Sequence, residues 1–288
     1  MKALSPIVMF AVLAGCTCKD EAQHAGAHQK ESVGERVSHV SHDQHGGNHD
    51  SKEAAMLMVT TEPEEVRAGQ PATLRLMIHD AGGAMLKDFE TVHEQRIHLI
   101  IVREGLDQFA HIHPQIDLDG NMTSVFTFPT GGTYRLYADH TPAGKGQATA
   151  IAELKVLGDT SPAPELTPSE PGRITGDDLN ADVSVENAKM SGTARIVFRL
   201  MDSSDTPVAD LQPYMGAMGH LVVISADGKQ YVHAHPVEEV EEAEEKTVDG
   251  TVEFETHLVM PGIYKVWGQF QRGGKVQVIA FVSNFSWE

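Results

Sequence analysis

From Met56 onward, short runs of the chain alternate apolar and polar side chains, broken roughly every ten residues by Gly, Pro and Asp clusters. Thr73-Leu74-Arg75-Leu76-Met77-Ile78 is the clearest run: Leu74, Leu76 and Ile78 point one way, Thr73, Arg75 and Met77 the other. A period of two marks a strand, because successive side chains leave it on opposite faces. Similar runs fall near 56–61, 97–103, 108–113, 121–128, 132–140 and 147–157. A second series lies near 181–187, 193–201, 219–225, 229–235, 250–258, 262–271 and 275–284. No amphipathic helix of useful length interrupts them. The pattern predicts an all-β chain of two tandem antiparallel β-sandwiches.

The two series read as copies of one domain. Thr73–Ile78 has its counterpart in Ala194–Leu200, and Gly132-Thr133-Tyr134-Arg135-Leu136 in Gly262-Ile263-Tyr264-Lys265-Val266. Tyr134 and Tyr264 sit where the tyrosine corner of an immunoglobulin-like sandwich falls. Between the copies, Pro162, Pro164, Pro168 and Pro171 mark 158–178 as a linker. The expected domains are therefore 56–157 and 179–288.

The N-terminus reads differently. Lys2, a short apolar stretch and Leu13-Ala14-Gly15-Cys16 form a signal peptide (1–15) ending in a lipobox, with a lipid expected on Cys16. The apolar run is far shorter than the ~20 residues needed to span a bilayer. Residues 16–55 are polar and carry His24, His28, His39, His42, His45 and His49. Such a segment buries too little to order itself, so it is expected to be a disordered, His-rich tether that captures metal loosely. The expected location is extracytoplasmic and membrane-anchored, with the outer membrane favoured by Thr17 if two membranes are present. Acidic residues outnumber basic ones 41 to 22, a formal charge of −19, which argues against nucleic acid. Cys16 and Cys18 are the only cysteines, so no disulfide framework supports the sandwiches.

The candidate chemistry lies in the repeat itself. His98, His111, His113 and Pro114 recur at identical spacing as His220, His233, His235 and Pro236. Asp227-Gly228 predicts a two-residue hairpin turn, which pairs Ile224 with Tyr231, Val222 with His233 and His220 with His235. All three imidazoles then share one face, and a slip of one residue would separate them. The first copy has Glu104-Gly105-Leu106-Asp107 at its turn but the same total length, which sets His98 opposite His113. The prolines end each second strand and place each trio at a sandwich end, near solvent.

Three neutral imidazoles with an open fourth position suit copper, with zinc the alternative. His93 and Met215, each five residues before its trio, are candidate additional ligands, as is Met218. His140 and His257 lack counterparts and read as surface residues, although His140 ends a strand and lies within reach of the site. His79 is also unpaired by the repeat, and the six glutamates between Glu238 and Glu245 read as a solvated loop. A metal-independent adhesion or scaffold module is the competing reading. A cupin-type metalloenzyme is disfavoured, because neither copy has the following Gly at cupin spacing.

Phe89 to Pro114, and Asp210-Leu211-Gln212-Pro213-Tyr214-Met215-Gly216-Ala217-Met218-Gly219-His220 through Pro236, resemble segments of bacterial secreted YtkA-like and heavy-metal-associated β-domains. The resemblance covers both domains but not the tether. It implies an immunoglobulin-like or cupredoxin-like sandwich and copper handling outside the cytoplasm. The expected function is copper sequestration, delivery or tolerance, with a metal-transport or efflux protein as partner. No cupredoxin copper-site Cys is present, which disfavours blue-copper electron transfer.

Overall fold

The computed structural model describes residues 55–168, 172–176, 178–187, 192–237 and 249–287. The signal segment, Cys16, the six tether histidines, Pro171 and the Glu238–Glu245 run lie outside the described residues. Among the described residues there is no α-helix, and the chain is all-β. The first copy contains β1 (Met56–Glu62), β2 (Pro71–His79), β3 (Ile97–Arg103), β4 (Phe109–Ile112), β5 (Gln115–Ile116), β6 (Met122–Thr127), β7 (Gly132–His140) and β8 (Ala148–Val156). The second contains β9 (Arg173–Thr175), β10 (Asn180–Asn187), β11 (Thr193–Met201), β12 (Leu211–Gln212), β13 (His220–Ser225), β14 (Tyr231–Ala234), β15 (Thr251–His257), β16 (Gly262–Arg272) and β17 (Lys275–Phe285). Strand β9 falls within the expected linker and pairs with β10.

Each copy is a sandwich. In the first, β1-β2-β6-β5 faces β4-β3-β7-β8, the two layers joined at one edge by the parallel pairing of Met56 with Ile151. In the second, β9-β10-β11-β15 faces β14-β13-β16, with β12 and β17 also on β16. The alternation in the sequence explains the layering. Leu74, Leu76 and Ile78 are buried against Leu99, Ile101 and Leu136, while Arg75 stays in solvent. Ile196, Phe198 and Leu200 do the same against Leu221, Val223 and Val266. Both tyrosine corners form: Tyr134 Oη–H donates to the Thr130 carbonyl at 3.0 Å, and Tyr264 Oη–H to that of Met260 at 2.6 Å.

The sandwiches pack against one another through the sheets that contain β3 and β13. Ile100, Val102, Leu106 and Tyr137 of the first meet Val222, Ile224, Tyr231 and Trp267 of the second. Tyr137 stacks on Tyr231 and Phe109 on Trp267, each at 4.8 Å between centroids. Leu166, from the proline-rich segment, packs against the same cluster.

The second hairpin turn differs from expectation while the register does not. Gly228, not Asp227, takes a positive φ, and the loop holds four residues. Ser225 N–H donates to Gln230 O at 3.0 Å and Gly228 N–H to Ser225 O at 2.7 Å. Residues 104–107 close the same way, through Arg103 N–H to Gln108 O and Leu106 N–H to Arg103 O. Equal loop lengths keep both registers, pairing Ile100 with His111 and Val222 with His233. A Cβ at Gly228 would also press on the guanidinium of Arg135, which reaches across from the first sandwich.

Because the two corners are equivalent, Tyr134→Phe and Tyr264→Phe should each cost about 1 kcal/mol, the net worth of one neutral hydrogen bond. Urea unfolding of each variant measures this, and a cost confined to one copy would mean that the corners are not equivalent.

Candidate metal centre

Strands β3 and β13 are buried on both faces. On β3, Leu99 and Ile101 enter the sandwich core, so His98, Ile100 and Val102 must face outward, toward the other domain. On β13, His220, Val222 and Ile224 face outward for the same reason. The ends of the sandwiches therefore do not open the trios to solvent as expected. They open toward each other, and the second sandwich covers the first trio.

The distances make one continuous cluster. Within the trios, ring centroids lie 4.7–5.4 Å apart, from His111–His113 to His220–His233. Between trios, His98 and His111 each lie 5.0 Å from His233, and His111 lies 5.6 Å from His220. His98, His220 and His233 are buried, whereas His111, His113 and His235 keep partial access to solvent. Each trio offers ligand nitrogens within 4.8 Å of one another, so each could hold a metal ion.

The hydrogen bonds fix which nitrogens are free. His98 Nε2–H donates to the Val92 carbonyl at 3.1 Å, leaving a lone pair on Nδ1. His111 Nδ1–H donates to Gln269 Oε1 at 2.7 Å, leaving its lone pair on Nε2. These two lone-pair nitrogens face each other at 3.1 Å, and His113 Nε2 lies 3.2 Å from the same Nδ1. The second trio repeats the scheme. His220 Nε2–H donates to the Tyr214 carbonyl at 2.8 Å and His233 Nδ1–H to Asp139 Oδ2 at 3.0 Å. Their inner nitrogens lie 3.2 Å apart, and His235 Nε2 is buried without a hydrogen-bond partner. Facing lone pairs repel unless a cation lies between them. Zinc–nitrogen bonds of ~2.0–2.1 Å in a tetrahedron set ligand nitrogens about 3.3 Å apart, close to both spacings.

The central histidine of each trio is thus held by the opposite domain. Gln269 pairs with His220 across β13 and β16, and Asp139 pairs with His98 across β3 and β7, so the two braces are equivalent positions. They differ in charge. Such outer partners orient a ligand ring and raise its basicity. Burial pushes the Asp139 carboxyl up to about 7, with hydrogen bonds from Gln147 and the His140 backbone pulling it down. Burial is also the largest cause at the rings. It lowers His98 and His113 to about 4 and His220 to about 3, and puts His111, His233 and His235 well below the usual imidazole value. Mutual repulsion among the rings adds to each. At neutral pH the rings are uncharged, the form that binds metals.

His93 and Met215 sit at equivalent points on two tight turns, with φ of 48° and 51°. In each turn the flanking residues exchange backbone hydrogen bonds, Val92 with Gln95 and Tyr214 with Ala217. The same turns supply the carbonyls that hold His98 and His220. His93 crosses the boundary and stacks on His235 at 3.5 Å between centroids. Met215 Sδ accepts a hydrogen bond from Gln95 Nε2 at 3.5 Å. Met218 belongs instead to the core of the second sandwich. His140 is buried rather than exposed; its Nδ1–H donates to the Ala138 carbonyl, and its Nε2 has no hydrogen-bond partner. It lines a cavity of about 10 Å³ with His98, Asp139 and His235. His257 and His79 are partly buried, away from these contacts. Sequence reasoning missed Asp139 and Gln269. The available signal was the unbroken apolar runs Leu99–Val102 and Leu221–Ile224, which mark strands covered on both faces.

A family model described as a domain of unknown function, DUF8832, matches twice, over residues 52–156 and 174–286. The chain belongs to this DUF8832 family. The two matches agree with the internal repeat, and the family carries a different name from the YtkA-like domains. No curated protein matches by sequence. Among solved structures, Escherichia coli alpha-2-macroglobulin is 12% identical with a TM-score of 0.26, covering 85% of this chain and 15% of its own. Latent PorU from Porphyromonas gingivalis is 11% identical (TM-score 0.26), covering 81% of this chain and 24% of its own. The bacterial integrin-binding protein invasin is 12% identical (TM-score 0.25), covering 82% and 40%. The chain thus spans less than half the length of each.

Protonation should destabilise the metal-free protein. A ring whose folded value lies near 4, against an ordinary 6.5, contributes stability that is full above pH 6.5 and is lost as pH falls toward 4. For buried His98 this is on the order of 3 kcal/mol. Asp139, raised to about 7 from 3.8, acts oppositely, losing stability as pH rises through that interval. Six rings outweigh one carboxyl, so the melting temperature of chelator-treated protein should fall between pH 7 and pH 4. A flat profile would show that the rings are not buried together.

Proposed function

We propose that the chain is an extracytoplasmic metal-binding lipoprotein that sequesters or delivers copper, or confers tolerance to it, through His98/His111/His113 and His220/His233/His235. The observation that carries this reading is the pair of inward-facing lone pairs in each trio, with the outer N–H groups already donated to Val92, Gln269, Tyr214 and Asp139. All-imidazole donors follow the usual divalent order, in which copper binds more tightly than zinc. The resemblance to YtkA-like domains points the same way. The lipid on Cys16 would hold the protein at a membrane, the outer one where two exist. His24, His28, His39, His42, His45 and His49 would collect ions loosely, and a transport or efflux protein would exchange them.

The test is a copper and zinc titration of the full chain against a variant with all six trio histidines changed to Asn, both retaining the tether. The wild type should bind two further equivalents, with copper displacing zinc. Equal stoichiometry would reject the domain sites in favour of a metal-independent module, and zinc resisting displacement would change the metal. Asp139→Asn should weaken metal binding at the second trio ~10–100-fold while the ring geometry persists. Competition with a chelator of known affinity measures this.

A further inference from the structure

Two separate binding sites would stand apart, whereas rings of these two trios approach to 5.0 Å between centroids. His98 and His111 are as close to His233 as the rings of one trio are to one another. His93, from the first domain, packs on the second trio by stacking on His235. Each central ring is oriented by the other domain, so neither trio is complete in an isolated sandwich.

We propose that the two trios are halves of one dinuclear centre, closed across the boundary between the sandwiches and bridged by a small oxygen ligand. The inference rests on reading the trios as metal sites. Asp139 is the only acidic side chain among the buried polar groups of the described residues. Two divalent ions would carry four positive charges against that one carboxylate. Each ion would have three protein ligands, leaving room for a further ligand on each. A bridging hydroxide would fill both: a water O–H bond would break, oxygen would keep the electron pair, and the proton would leave to solvent, as divalent metals promote. His113 and His235 keep partial access to solvent, through which ions and that proton would pass.

Electron paramagnetic resonance of the Cu(II)-loaded full chain tests this, with His24, His28, His39, His42, His45 and His49 changed to Gln to remove tether signals. At two bound equivalents, the spin count should fall clearly below the bound copper, or a half-field transition should appear. A variant with His220, His233 and His235 changed to Asn should bind one equivalent and give an ordinary mononuclear signal of full intensity. The partner variant, with His98, His111 and His113 changed to Asn, keeps the comparison open should the first fail to fold. Two bound equivalents with full intensity and no half-field feature would overturn the dinuclear centre while leaving two metal sites standing. No copper in either trio would overturn the metal reading itself, and this inference with it.

Discussion

A buried neutral imidazole has one N–H to donate and one lone pair to place, and this site depends on how those are divided. Four of the six trio rings give their N–H outward, to two loop carbonyls, an amide and a carboxylate. Their lone pairs are then obliged to point inward. Removing the acceptor oxygen of Gln269 or Asp139 altogether would let its ring turn over and donate to its neighbour, and the facing lone pairs would become an ordinary hydrogen bond. The arrangement is costly without a cation, which is why the surrounding structure has to hold it so firmly.

That hold comes from three levels of structure. The equal four-residue loops after β3 and β13 set the register that puts all three rings of each trio on one face. The tight turns at His93 and Met215 place backbone carbonyls against the first ring of each trio, using left-handed conformations that non-glycine residues rarely adopt. The apolar contact of Ile100 and Val102 with Val222 and Ile224 then brings the opposite domain close enough to brace the central ring.

Much of this was legible in the sequence. The alternation at Thr73–Ile78 and Ala194–Leu200 specified the strands, and the identical histidine spacing in the two copies specified the convergence, because pairing depends on loop length rather than loop type. The type itself was misread at Asp227-Gly228, where a side-chain acceptor on Asp227 and the approach of Arg135 favour a longer loop. The meeting of the trios was not inferred, since alternation reports that a face is buried and not what covers it. Leu99–Val102 carried the hint, being apolar on both faces. His140 was misjudged for a related reason: a residue ending a strand reads as exposed unless the neighbouring loop that packs on it is known, and here Phe89 lies edge-on against its ring.

The equivalence of Asp139 and Gln269 has a consequence for how such a chain can diverge. Were the two sandwiches separate molecules associating about a twofold axis, one gene would have to supply the same side chain at both positions, because an isologous interface repeats every contact. Carrying both copies on a single polypeptide removes that restriction. One half can keep a carboxylate behind its imidazole and the other an amide, so each pocket can drift toward its own preference while the surface between them stays matched.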